Sequence, residues 1–219
     1  MRKKLQRFAA NAQRPNVIEP GKPLYDCIQG RWHMDYFHNA HPLVVELGCG
    51  KSAYTLGLAQ QFPDKNFVGV DIKGARLWVG STAAVGCGLH NVAFLRAKIE
   101  QLAQSFAPQE VSEFYIPFPD PRPRDRDAKR RLTSPRMLAI YRRLLRPGGW
   151  VHFKTDDAAL FAYTREVLRT QAITDLVYTE DLYQSEWLPA HYGIQTAYEQ
   201  RFLAQGATIK YLRFAFASS

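Results

Sequence analysis

Short apolar runs rich in Val, Leu, Ile and Phe punctuate this chain, and most are closed by Gly, Pro or Asp before a stretch with helical spacing. Leu43-Val-Val-Glu-Leu47 leads into Gly48-Cys-Gly50, and a helical stretch continues through Gln61. Asn66-Phe-Val-Gly-Val-Asp71 reads as a second strand, with Lys73–Val85 as its helix. Asn91–Leu95 is a third strand and Glu113–Ile116 a fourth, closed by Pro117. Ser134–Leu145 has helical spacing, and Pro147-Gly148-Gly149 turns the chain into a fifth strand, Trp150–Lys154. Asp157–Arg169 is helical again, and Thr174–Thr179 and Thr208–Phe216 supply two final strands. Strands alternating with helices predict βαβ units and a mostly parallel sheet, an α/β fold.

Residues 1–40 lack this periodicity. Pro15, Pro20, Gly21, Pro23 and Gly30 break them, so they are expected to form an irregular basic arm ending in the aromatic cluster Trp32, Tyr36 and Phe37. Those aromatics either pack into the core or stack on a base. Residues 41–219 are expected to form a single domain, in keeping with a chain of 219 residues and with the absence of internal repeats.

Charge changes the picture more than composition does. At 46% hydrophobic and 22% charged the chain is ordinary, but its net charge of +9 favours an anionic partner. No apolar run approaches the roughly 20 residues that span a bilayer, so no membrane association is expected. No apolar segment follows the basic N-terminus, and Cys27, Cys49 and Cys87 have neither metal-ligand nor C-x-x-C spacing. A cytoplasmic protein with reduced thiols and no metal is expected. Arg2, Lys3, Lys4, Arg7 and Arg14 open the chain with no acid before Glu19. Between Arg122 and Arg146, nine arginines and Lys129 face only Asp125 and Asp127. Two such patches are either solvated surfaces or the footprint of an extended anion bound in two places.

The candidate chemistry begins at the first strand. Ligands of open α/β sheets bind beyond the carboxyl ends of the strands. Here the first turn is Glu46-Leu-Gly48-Cys-Gly50, and position 53 is Ala, so the third glycine of a dinucleotide fingerprint is missing. Asp71 closes the second strand, where an acid can accept bonds from ribose hydroxyls. An E-x-G-x-G turn followed by such an acid is the pattern of class I S-adenosylmethionine methyltransferases; a tight turn with an acidic strand cap is the alternative. The second signal is Phe118-Pro-Asp-Pro-Arg-Pro-Arg124. Pro119, Pro121 and Pro123 stiffen the backbone around Asp120, and Arg122, Arg124, Arg126, Lys129, Arg130 and Arg131 follow it. Asp120 is either a turn cap or a carboxylate held against a polyanionic substrate.

Phe118-Pro-Asp120-Pro, Lys129-Arg-Arg131-Leu-Thr133, Leu145-Arg-Pro-Gly-Gly149, Phe153-Lys-Thr-Asp156 and Thr196-Ala-Tyr-Glu199, with Phe202, Gly206 and Ile209, occur in this order. Over about residues 43–214 the chain resembles the bacterial tRNA (guanine-N7-)-methyltransferases. The resemblance implies a Rossmann-like class I methyltransferase fold, with a mostly parallel seven-stranded sheet, helices on both faces and an antiparallel last strand. It implies S-adenosyl-L-methionine as cofactor and methylation of the variable-loop guanine of tRNA at position 46. By position, Glu46, Gly48, Gly50 and Asp71 match cofactor-binding residues, with Asp71 on the ribose, and Asp120 matches the catalytic-site aspartate, beside both cofactor and base. Arg124 stands where the family usually has a substrate-contacting Lys, and Asp156, Thr196 and Glu199 resemble guanosine-binding residues. Three positions depart from the family: Arg122 replaces a Trp, Asp127 or Ala128 replaces a His, and Lys98 occupies the cofactor-binding position of the acid that contacts adenine. An ammonium only donates, so a backbone carbonyl or Glu100 takes over that contact, or adenine is read differently.

Guanine N7 carries an in-plane lone pair and no proton, so no general base is needed and the product ring is cationic. Asp120 is therefore expected to accept guanine N–H bonds and stabilise the developing charge. Arg126, Lys129, Arg130 and Arg131 are expected to contact phosphates. His152 reads as a core or strand-face residue, His191 either as a border of the site or as a residue outside it, and Cys49 as a small filler. The competing functions are a small-molecule methyltransferase, which leaves the clustered basic residues without a role, and a non-catalytic RNA-binding protein of the same fold. Oligomeric state is left open between monomer and homodimer.

Overall fold

The computed structural model describes residues 2–217, with side chains from residue 5 onward, so Arg2, Lys3 and Lys4 of the basic cluster have no described side chains. Among the described residues eight strands form one sheet, in the spatial order β1 (Val17–Ile18), β4 (Val92–Leu95), β3 (Asn66–Val70), β2 (Leu43–Leu47), β5 (Val111–Pro117), β6 (Leu145–Thr155), β8 (Lys210–Phe216), β7 (Ile173–Thr179). The central strands β2, β3, β4, β5 and β6 are parallel. β8 runs antiparallel between β6 and β7. Every residue of β2, β3 and β4 is buried, as expected of parallel strands covered on both faces.

Strand alternation divides the core into two layers. Val45, Leu47, Val68, Phe114, Ile116, Val151 and Phe153 point to one face, beneath α4 (Pro135–Leu144) and α5 (Ala158–Arg169). Val44, Phe67, Val92, Phe94 and Tyr115 point to the other, beneath α2 (Ala53–Gln61) and α3 (Gly74–Gly86). The strand order reverses at β2: the chain moves outward to β3 and β4, then returns to β5 on the other side of β2. That reversal opens a crevice at the carboxyl ends of the strands.

The first 40 residues are only partly irregular. Arg2–Ala12 form α1 and Val17–Ile18 form β1, which pairs in parallel with β4 and makes the sheet eight-stranded rather than seven-stranded. Trp32–Phe37 form a π-helical turn, in which Trp32 is fully buried and stacks on Phe106 at 5.3 Å. Local signals miss this arm because tertiary contacts hold it. Lys22 Nζ donates to the carbonyls of Asn11 (2.8 Å), Arg14 (2.6 Å) and Val17 (2.5 Å), tying the end of α1 to the start of β1. Arg7 and Arg14 lie over the Trp78 ring of α3. α1 also approaches the start of α3 so closely that a Cβ on Gly74 would sit 2.7 Å from Phe8. Lys22→Met removes a charged donor shared by three carbonyls and is expected to cost about 2 kcal/mol. The check is hydrogen exchange: amides of α1 should lose protection while those of β2 and β5 keep theirs.

Candidate active site

The chain leaves β2 through a turn built to carry a ligand on its backbone. Gly48 and Gly50 adopt φ of +73° and +56°, and the N–H groups of Gly48 and Cys49 donate to the Val70 carbonyl at 2.9 and 3.0 Å. A Cβ on Gly48 would meet no heavy atom within 4 Å, so the ledge beside this turn is open. Asp71, one residue beyond β3, braces the turn from below. Its Oδ2 accepts from Gly50 N (3.0 Å) and its Oδ1 from Lys73 N (2.8 Å). Each oxygen keeps a lone pair, enough to accept from a pair of ribose hydroxyls. An open glycine ledge and a braced acid at the next strand end fit a nucleoside-bearing cofactor.

Glu46 is buried within β2, and its Oε2 accepts from both the backbone N–H (2.8 Å) and the hydroxyl of Thr55 in α2. Burial pushes its carboxyl up to about 7, against the two Thr55 bonds. The folded protein thus binds this proton more tightly than the unfolded chain, and wild-type stability should fall as pH rises from about 4.5 to 7. Glu46→Gln removes that dependence. Its unfolding free energy should gain on wild type by about 3 kcal/mol between pH 5 and 8, measured by urea denaturation; an unchanged gap would show that Glu46 ionises normally. Cys49 is buried and its thiol is raised by the same desolvation, so it fills space between the glycines. Lys98 is exposed at the start of a 3-10 turn over Ile99–Gln104, just beyond the end of β4, and the neighbouring Glu100 is exposed as well.

β5 ends at Pro117, and the chain then doubles back. Phe118 has φ of +51° and its N–H donates to the Lys154 carbonyl at 2.7 Å. Asp120 stands on the loop beyond it with 64% of its side chain exposed. Its Oδ1 accepts from Arg122 N (3.2 Å) and its Oδ2 lies 3.1 Å from Arg122 Nε. Arg124, Arg126, Lys129 and Arg130 are exposed on or beside a 3-10 turn over Asp125–Arg130, and Arg130 pairs with Asp127 at 3.3 Å. Arg131 differs from them. It donates twice to the Arg122 carbonyl (3.2 and 3.1 Å) and covers the Tyr163 ring, so it braces the loop from inside.

At the end of β6, Asp156 is half-buried and desolvation raises its carboxyl, while Asp157 caps α5 by accepting from Leu160 N. Thr196 and Glu199 form a capping box at the start of α6 (Ala197–Ala204), an element whose T-x-x-E signature is legible in the sequence. Lys154 and Tyr183, neither of them a candidate from the sequence, donate to the Glu199 carboxylate, and Tyr54 Oη accepts from the Lys154 ammonium. His152 is buried between Tyr115, stacked at 4.2 Å, and Tyr211, whose hydroxyl is 2.9 Å from its Nδ1. His191 is buried too, with its Nδ1 3.1 Å from the Ile194 carbonyl. The ends of β2, β3, β4, β5 and β6 thus bring Glu46, Gly48, Gly50, Asp71, Lys98, Asp120 and Asp156 to one edge of the sheet. Among the described residues no cluster of His, Cys, Asp or Glu is placed to hold a metal ion, and no helix is long and apolar enough to cross a membrane.

A sheet of this order, with its glycine ledge and bracing acid, is that of a class I S-adenosylmethionine-dependent methyltransferase. It superposes with a TM-score of 0.56 and 17% identity on a 16S rRNA (adenine(1408)-N(1))-methyltransferase variant from Catenulisporales acidiphilia solved with its cosubstrate SAM, covering 86% of this chain and 91% of that one. Residues 40–212 match the profile of a family described as putative methyltransferase. The chain is 51% identical over 98% of both sequences to the tRNA (guanine-N(7)-)-methyltransferase of Cytophaga hutchinsonii. It is 43% identical to that of Bacteroides thetaiotaomicron, over 96% of this chain and 84% of the relative. It belongs to the tRNA (guanine-N(7)-)-methyltransferase family.

Proposed function

We propose that this protein methylates N7 of the variable-loop guanine, position 46, in tRNA. The observation that carries this reading is the shared sheet edge: the glycine ledge with Asp71 and the stiff, arginine-rich Asp120 loop open on the same side. A cytoplasmic location follows from the substrate.

Gly48, Gly50, Asp71 and Glu46 hold the cofactor, with Asp71 on the ribose; Lys98 lies where adenine would be read. Bound S-adenosylmethionine supplies a methyl carbon already activated by its sulfonium. Guanine N7 carries an in-plane lone pair and no proton, so the protein has none to remove. Its task is to orient the base and to stabilise the positive charge that the purine acquires. Asp120 does the second, accepting guanine N–H bonds. Arg124, Asp156 and Thr196 border the base, and Arg126, Lys129 and Arg130 take the phosphates, which fixes position without reading sequence. Side chains cannot enter the narrow major groove of A-form RNA, so the guanine must be exposed by the fold of its RNA.

The test is transfer of radiolabelled methyl from S-adenosylmethionine to unmodified bulk tRNA, followed by nucleoside analysis and mapping. Label in 7-methylguanosine at the variable loop is expected. Binding of tRNA without transfer would instead support a non-catalytic RNA-binding protein.

A further inference from the structure

We propose, resting on the reading just given, that Glu199 is a positioning residue and not a guanine contact: with Lys154 it forms a buried lock that holds three segments of the site together. Glu199 is fully buried, and all four acceptor positions of its carboxylate are filled from within the protein. Oε1 accepts from Lys154 Nζ (2.7 Å) and Tyr183 Oη (3.0 Å). Oε2 accepts from Lys154 Nζ (2.8 Å) and Thr196 N (3.4 Å). The ammonium is equally committed: besides the carboxylate it donates to Tyr54 Oη at 2.7 Å. Neither group has capacity left for a ligand.

What the pair touches explains what it does. Tyr54 lies in the first turn of α2, directly after the glycine ledge. Phe118 opens the Asp120 loop; its N–H donates to the Lys154 carbonyl and its ring lies 5.5 Å from the ammonium. Glu199 closes the capping box on Thr196. One ion pair therefore sets the cofactor turn, the Asp120 loop and the Thr196 cap relative to one another.

A buried ion pair that only positions can be replaced by an apolar pair, whereas removing one partner strands the other charge. The experiment compares wild type with Lys154→Met, Glu199→Gln and the double variant Lys154→Met/Glu199→Leu. The readouts are methyl transfer to tRNA, S-adenosylmethionine binding and thermal unfolding. Each single variant is expected to lose about tenfold or more in kcat, with KM for tRNA little changed. The double variant should recover most of that loss and unfold at a higher temperature than either single one. Recovery in a protein without the carboxylate excludes a guanine contact, even if the single variants fail to fold. A folded double variant as impaired as Glu199→Gln overturns the proposal. So does full activity in Lys154→Met, and so does a double variant that cannot fold, since the pair would then serve folding. Failure of the wild-type enzyme to methylate tRNA would count against the functional reading alone, and the unfolding comparison would remain readable.

Discussion

Asp120→Ala is expected to lower the rate of methyl transfer by roughly a hundredfold, about 3 kcal/mol, with tRNA affinity nearly unchanged. The split follows from the chemistry. Guanine approaches as a neutral base and leaves as a cation, so a carboxylate that accepts its N–H bonds gains further attraction as the new bond forms, and that increment, absent from the bound neutral base, appears in kcat. Folding should not confound the result, because Asp120 is mostly exposed and surface substitutions usually fall within about 0.5 kcal/mol. In the free protein Asp120 is paired with Arg122, which must let go for the base to be bound. An exposed pair of this kind is worth about 0–1 kcal/mol, so releasing it costs less than the base contact returns. Asp120→Asn keeps an acceptor oxygen and discards the charge; it should fall between wild type and Asp120→Ala. Single-turnover rates at saturating S-adenosylmethionine are the measurement, and near-wild-type rates in Asp120→Ala would remove this residue from the chemistry.

The parts of this molecule legible in its sequence are those whose cause is local. Leu43–Leu47 and Asn66–Val70 are β-branched runs cut off by glycine or an acid, and they form strands where those signals fall. The Gly48 turn and the proline-locked Asp120 loop announce themselves because their residue types leave the backbone few choices. α1 is the opposite case. Its basic sequence shows no capping signal, and it is held by Lys22, by the Gly74 carbonyl that Asn11 donates to and by the Trp78 ring, partners that no local pattern reveals. β1 has two residues, and only the free edge of β4 makes a strand of them. In the site, residue types were legible but their commitments were not. Arg131 looks like its neighbours in a basic run, yet it is turned inward onto Arg122 and Tyr163. Lys154 sits between Phe153 and Thr155 in an apolar strand, and its partner Glu199 lies far along the chain on α6. Alternation along β6 places it with His152 on one face, but nothing local says that a carboxylate is waiting there.

Arg126, Lys129 and Arg130 replaced together by alanine should weaken tRNA binding by about a hundredfold near 0.1 M salt while leaving S-adenosylmethionine binding intact. All three are exposed, and among the described residues only Arg130 has an acidic partner, Asp127. Each contact with a phosphate releases condensed counterions, so the three together should flatten the dependence of log affinity on log salt by about 2 to 3. That slope separates two readings that bare affinity cannot. If the run is a solvated surface, the variant binds tRNA with an unchanged slope. If it is the phosphate footprint, affinity and slope fall together and the loss is uniform across tRNA sequences, because such contacts carry no sequence information. Arg131→Ala is the internal control. Its guanidinium is committed to the Arg122 carbonyl, so its loss should disturb the Asp120 loop and lower kcat with a smaller change in salt slope than any of its exposed neighbours gives. A basic run read as one patch in the sequence would then divide, by experiment, into residues that face the RNA and one that holds the loop in place.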